Sequence, residues 1–270
     1  MSELNTTTKL QQSAREATEL SLEHISYTYH TLHGETCALQ DISFSLMPGE
    51  FAAVVGPSGC GKSTLLNILS GLLKPDSGTI SCYQESQMPS IGYMLQKDHL
   101  LEWRTIYKNI TLGLEIQKKS TPEALIAINN MLVNYGLWDF RNSYPRQLSG
   151  GMRQRAALIR TLALSPDILL LDEPFSALDY QTRLNVSNDI GNIIKEQKIT
   201  TLLVTHDLSE AISMADTVYV LSRRPGTIRA RFDIQLSGNP SSPKEARNAP
   251  EFKDYFAKIW KEVDYGKTQE

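Results

Sequence analysis

The sequence predicts an α/β fold: a mostly parallel sheet with helices on both faces and an all-helical insertion. Two observations predict the sheet. FAAVV (51–55), ILLLD (168–172), TTLLVT (200–205) and TVYVL (217–221) are continuous apolar runs of strand length, as expected of strands buried on both faces. Segments with helical spacing lie between them, which is the alternation that builds parallel sheets. The insertion follows from a third observation: from about Lys97 to Pro145 no strand-like run occurs.

In chain order, residues 1–19 form a polar lead-in with neither the basic start nor the apolar run of a secretion signal. Leu20–Tyr29, Ala38–Leu46 and Phe51–Val55 read as strands, and KSTLLNILSGLL (62–73) as a helix stopped by Pro75 and Gly78. Ile91–Leu95 is a short strand running into Gln96. In the insertion, Ser120 and Glu123 have capping-box spacing and Pro122 suits a first helical turn. A helix follows LSGG to about Leu164, a long polar helix covers roughly 180–197, and LSEAISMA (208–215) is helical. The tail carries a turn at RRPG, an extended IRARFDIQL and a loop GNPSSP. It closes with a helix whose Phe252, Tyr255, Phe256, Ile259, Trp260 and Val263 share one face, expected to pack on its own domain. The chain divides into the lead-in 1–19, a principal domain 20–235 with its insertion at about 97–147, and a C-terminal linker with an amphipathic helix at 236–270.

With 270 residues, 41% hydrophobic and 21% charged, the chain has the composition of a soluble globular protein. A formal net charge of -3 points to no nucleic-acid partner. No apolar run is long enough to cross a bilayer, so any membrane role comes through another chain. Cys37, Cys60 and Cys82 have no disulfide or zinc spacing. Cys60 lies inside a glycine-rich turn, where its oxidation is expected to block ligand.

That turn, GPSGCGKST (Gly56, Pro57, Ser58, Gly59, Cys60, Gly61, Lys62, Ser63, Thr64), matches G-x-x-x-x-G-K-[ST] between a buried strand and a helix. Its glycines let successive N–H groups curl around phosphate oxygens, and the helix adds its N-terminal donors and dipole. Lys62 reaches the β- and γ-phosphates, Ser63 ligates Mg²⁺, and Thr64 is placed for an α- or β-phosphate oxygen. ILLLDEP supplies the complement: Asp172 at a strand end to hold Mg²⁺, and Glu173 to polarise the attacking water. Gln96, for Mg²⁺ or the lytic water, and His206, for the γ-phosphate, end two more strands, at the edge where parallel sheets bind ligands.

A second glycine turn, Ser149-Gly150-Gly151, precedes a helix but has no Lys-Ser/Thr after it. It suits a γ-phosphate held elsewhere, and the natural source is a second protomer arranged head to tail about a two-fold axis.

Together, GPSGCGKST, Gln96, LSGG, ILLLDEP, SALD (176–179) and His206, in this order over residues 20–235, resemble the ATP-binding-cassette (ABC) ATPases. The resemblance implies a P-loop NTPase (RecA-like) core with an antiparallel β subdomain and an inserted α-helical subdomain. It implies ATP and Mg²⁺, Ser149 and Gly151 as signature residues, Glu173 as base, His206 as switch, and Asp179 in the loop joining two half-sites. Tyr29 is similar to the aromatic residue on which these proteins stack adenine, with Tyr27 as the substitute. LLEWRTIYKNITLGLEI and LSRRPGTI resemble the ATPases of nitrate/sulfonate/taurine-type bacterial importers. Two positions depart from the family: Met152 where many members have glutamine, and Glu102 where proline is common.

The importer resemblance implies a homodimer peripheral to the cytoplasmic face of the membrane, acting on integral membrane permease subunits and indirectly on a solute-binding protein. Leu100, Leu101 and Trp103 then lie near the groove that receives the permease, or Trp103 packs internally. The rival readings are a soluble ABC-type ATPase of DNA repair or the ribosome, and a regulatory module without turnover. The short stretch between the two glycine turns, the single cassette, and the presence of Lys62, Asp172, Glu173 and His206 count against them.

Overall fold

The computed structural model describes residues 20–32, 34–82, 89–238 and 240–264, so the polar lead-in lies outside the described residues. β1 (Leu20–Thr31) and β2 (Gly34–Leu46) form an antiparallel ribbon. β3 (Phe51–Val55) leads into α1 (Lys62–Leu69), and β4 (Ser77–Cys82) returns to pair antiparallel with β1. These give a three-stranded sheet ordered β2-β1-β4. β4 was not expected from the sequence. Its SGTISC run is polar and carries a glycine at φ 90°, which hides a half-exposed strand from any hydrophobic pattern.

β5 (Ile91–Met94) precedes α2 (Ile106–Ile110), α3 (Leu112–Gln117), α4 (Pro122–Asn134) and α5 (Gly150–Leu162). There follow β6 (Ile168–Asp172), α6 (Tyr180–Gln197), β7 (Thr200–Val204), α7 (Leu208–Met214), β8 (Thr217–Leu221) and β9 (Ile228–Asp233). The tail adds α8 (Pro243–Ala246), an unexpected short helix that begins at the last residue of the expected loop GNPSSP, and α9 (Phe252–Asp264). The larger sheet runs β5-β6-β7-β3-β8-β9, parallel throughout except for the antiparallel β9.

Strand alternation divides the core. Ala53, Val55, Leu169, Leu171, Leu203 and Val218 face one side, against α5, α6, α7 and α9. Ala52, Val54, Leu170, Leu202 and Val204 face α1 and the smaller sheet. The helical stretch has its own core, including Leu100, Ile106, Ile110, Ile128 and Leu132. α5 belongs to both: Ala157, Leu158 and Leu162 join the sheet core, while Ala156 and Ile159 join the helical one. A movement of the helical core relative to the sheet must therefore act on α5.

Local chemistry moves two expected boundaries. α1 ends at Leu69, because Gly71 takes a left-handed φ of 76° and its N–H donates to the Ile68 carbonyl. Thr121, not Ser120, caps α4: its hydroxyl accepts from the Ala124 N–H, since Pro122 is already the first helical residue. The α9 stripe packs on its own chain as expected, with Ile259 buried and Phe252, Tyr255, Phe256 and Val263 against the sheet core. Trp260 departs from it, 51% exposed and stacked on Phe256.

Candidate functional site

The phosphate turn is built as its sequence requires. β3 ends at Val55, and α1 begins at Lys62 behind Gly61, whose φ is 108°. A Cβ there would lie 2.6 Å from Leu39 Cδ2 and 2.8 Å from the Ala38 carbonyl oxygen, so neither the backbone nor the space admits a side chain. The Lys62 ammonium is folded into the turn, donating to the carbonyls of Gly56 (2.9 Å) and Pro57 (3.1 Å). A buried cation held by two carbonyl dipoles and the Cys60 sulfur, with no carboxylate partner, is well matched to phosphate.

The strand ends meet opposite this turn. The Ser63 hydroxyl donates to Asp172 Oδ1 at 3.2 Å. Burial pushes the Asp172 carboxyl up, the Ser63 hydrogen bond opposes this, and the Glu173 charge adds to it. A desolvated carboxylate beside a hydroxyl fits a small divalent cation. Mg²⁺ commonly uses one or two protein oxygens and completes its shell with phosphate and water. Among the described residues no three His, Cys, Asp or Glu side chains form a closed metal cage.

Glu173 sits just beyond β6 with φ 43°, a strained conformation for glutamate, and its N–H donates to the Val204 carbonyl at 2.8 Å. That bond fixes the backbone at the end of β7. His206 Nδ1 and Glu173 Oε2 are 3.1 Å apart, and Gln96 Nε2 approaches the same Oε2 at 3.4 Å. Gln96, Asp172, Glu173 and His206, remote in sequence, therefore converge on one edge. The arrangement can orient a water molecule by hydrogen bonds and accept its proton.

Thr64 is buried, and its hydroxyl lies 3.2 Å from the Tyr29 hydroxyl. Tyr29 is partly exposed beside the turn, whereas Tyr27 packs on the core and meets Tyr29 edge-on, which favours Tyr29 as the base platform. Cys60 is corrected. Its thiol is buried, and burial pushes its pKa up, the opposite of what an oxidant-sensitive thiolate needs.

Ser149 caps α5, its hydroxyl accepting from the Met152 N–H at 3.4 Å, and Asp179 caps α6, accepting from the Thr182 N–H. The first turns of the two helices pack together: a Cβ on Gly151 would lie 2.9 Å from Val186 Cγ2 and 3.1 Å from Thr182 Cγ2. The glycine pair thus has a packing reason inside the chain as well as the phosphate reason read from the sequence.

Three contributors were missed. Tyr93 donates to Asn67 Oδ1 (3.2 Å) and reaches Asp172 Oδ2 (3.4 Å); burial, then the Asp172 charge, push its phenol well above the usual range. Ser176 Oγ is 3.4 Å from Gln96 Nε2. Arg224 Nε and Nη2 both donate to the Gly59 carbonyl, clamping the turn from the far hairpin. Tyr93 had a signal in alternation along IGYM, which puts it on the α1 side, whereas Ser176 and Arg224 lay in the quoted stretches SALD and LSRRPGTI with no contact assigned to them.

The loop bearing His206 is anchored by a buried acid. The Thr205 hydroxyl donates to Glu210 Oε2 at 2.7 Å, and Arg183 lies 4.0 Å from Glu210 Oε1. Burial raises the Glu210 carboxyl from 4.5 to about 7; Thr205, Arg183 and Arg247 oppose the shift and Asp207 adds to it. An acid with a raised folded-state pKa stabilises most below its unfolded value, and that stability is lost as pH rises through the folded one. The loss is on the order of 3 kcal/mol across this window. Glu210→Gln is therefore expected to flatten the fall in Tm between about pH 5 and pH 8 by several degrees, read by thermal melts. An unchanged slope would place the charge elsewhere.

The comparisons agree with this geometry. The ABC transporter family profile matches residues 39–176. The uncharacterized ABC transporter ATP-binding protein YtlC of Bacillus subtilis is 46% identical, over 91% of this chain and 95% of its own length. The nitrate import ATP-binding protein NrtD of Synechocystis is 39% identical, over 89% and 93%. A solved dimeric ATP-binding cassette in a post-hydrolysis state with ADP and Pi superposes with a TM-score of 0.66 at 27% identity, covering 80% of this chain and 99% of that one. With its phosphate turn, its acidic strand end and its serine–glycine helix in one cassette fold, this chain belongs to the ABC transporter family, as an ATP-binding and ATP-hydrolysing subunit.

Proposed function

We propose that this chain energises an importer of a small solute of the nitrate/sulfonate/taurine type. It lies peripherally on the cytoplasmic face of the membrane as a homodimer, acting on integral permease subunits that a solute-binding protein supplies. The convergence of Gln96, Glu173 and His206 at the edge beside the phosphate turn carries the catalytic part of the reading. The importer part is supported by relatives such as the nitrate import protein NrtD.

In this mechanism the turn from Gly56 to Thr64 wraps the triphosphate, with Tyr29 under the base and Lys62 exchanging its carbonyl partners for phosphate oxygens. Ser63, Asp172 and Gln96 hold Mg²⁺, which when bound offsets phosphate charge. Glu173 takes the proton of the attacking water, while His206 holds Glu173 and the γ-phosphate side in register. Ser149, Gly150 and Gly151 of the second protomer close over the γ-phosphate, and Asp179 joins the two half-sites. Closure draws the permease subunits together, and loss of the shared phosphate lets the protomers part. The leverage is the higher affinity of ATP for the closed dimer.

Trp103 is 75% exposed while Leu100 is buried, so Trp103 is available to a permease helix and does not pack internally. The test is affinity purification from detergent-solubilised membranes. A polytopic membrane protein is expected to copurify with the parent and to be lost with Trp103→Ala. An active ATPase that never associates with a membrane protein would instead be a soluble ABC-type enzyme.

A further inference from the structure

The loop that follows Gln96 is gripped by the helix that Ser149 opens. Arg153, in the first turn of α5, donates from Nε to Asp98 Oδ2 (2.9 Å) and from Nη2 to Asp98 Oδ1 (3.2 Å), a two-pronged pair. Its Nη2 also reaches Glu102 Oε1 at 3.0 Å. Further along α5, Arg160 donates to the carbonyls of Asp98 (2.6 Å) and His99 (2.7 Å). The Asp98 carboxyl also accepts from the Leu100 N–H, and His99 takes a left-handed φ of 45°. Burial alone would raise the Asp98 carboxyl; hydrogen bonds from Arg153 and Leu100, then the arginine charges, bring it below its usual range, so it is ionised in the pair.

We infer that Arg153 is a positioning residue: paired with Asp98 and Glu102, it makes the loop after Gln96 and the serine–glycine end of α5 move as one piece. Gln96 touches Glu173 and Ser176 two residues before this pair, so a change at the cleavage site is carried to Ser149 through a rigid fork. The hydrophobic packing of α5 does not involve the guanidinium, which leaves the helix seated when the fork is removed. The inference rests on the shared-site reading above.

The experiment uses the full chain and the variants Arg153→Ala, Arg153→Lys, Asp98→Ala and Asp98→Ala/Arg153→Ala. For Arg153→Ala, KM for ATP is expected within about twofold of the parent, while kcat falls about 10–100-fold, the cost of a misplaced closing group. Asp98→Ala, which leaves the Arg153–Glu102 contact, should lose no more than Arg153→Ala, and the double variant should lose no more than Arg153→Ala, because removing the arginine already breaks the whole latch. Arg153→Lys keeps charge but not the fork, and should recover part of the loss. In a Glu173→Gln background, Arg153→Ala should weaken the ATP-driven dimer about tenfold by light scattering. An unchanged kcat, or losses that multiply in the double variant, would overturn the latch. A Glu173→Gln parent that stays monomeric with ATP would instead overturn the shared-site reading.

Discussion

Glu173→Gln is expected to bind ATP as tightly as the parent and to hydrolyse it about 10²–10⁴-fold more slowly, the range that general-base assistance supplies. Binding is expected to survive because the groups proposed to wrap phosphate lie in the turn and in α1. Glu173 meets Gln96 and His206 at its carboxylate, and Val204 and Ser176 at its backbone. The amide is nearly isosteric and can still accept from the His206 ring, so the left-handed backbone at this position has no new reason to relax. What disappears is a carboxylate able to take a proton. ATP then stays uncleaved between protomers, and the variant should accumulate as a dimer in gel filtration with ATP. Turnover within tenfold of the parent would remove Glu173 from the role of base.

The same region shows how far a single sequence carries. Gln96, Asp172, Glu173 and His206 were readable because each ends an apolar run, and parallel strands deliver such ends to one edge. Nothing in one dimension says that Gln96 and His206 address the same carboxylate oxygen. That follows from the sheet order, which places β6 between β5 and β7. Arg224 was invisible for a different reason: its partner is a backbone carbonyl at Gly59, and carbonyls leave no trace in a motif. β4 escaped because half-exposed antiparallel strands need no apolar run, and the start of α4 was misread by one residue because two hydroxyls, Ser120 and Thr121, compete beside one proline. LSGG was read through phosphate chemistry and its resemblance to a family signature, and Gly151 also lets α5 approach Thr182 and Val186. A substitution at Gly151 is therefore a poor probe of phosphate contact, since it disturbs packing first.

Ser149 is the better probe, and mixing two inactive variants should restore activity. Lys62→Ala removes the ammonium from the phosphate turn, and Ser149→Arg places a bulky cation at the exposed start of α5. Each alone should lose at least 10²-fold in single-turnover cleavage, the cost of deleting a preorganised phosphate donor. If sites are shared head to tail, a mixed dimer contains one site in which both defects coincide and one in which neither occurs. Equal mixing with free exchange yields half mixed dimers, each with one intact site, so about a quarter of parental cleavage should return. If each chain instead closed its own signature over its own ATP, no combination would contain an intact site, and the mixture would stay as inactive as its parts. The result does not depend on how much either substitution weakens binding alone, because the surviving site carries only native residues. Recovery that tracks the fraction of mixed dimers would assign Ser149 to the partner's ATP, and its absence would confine each site to one chain.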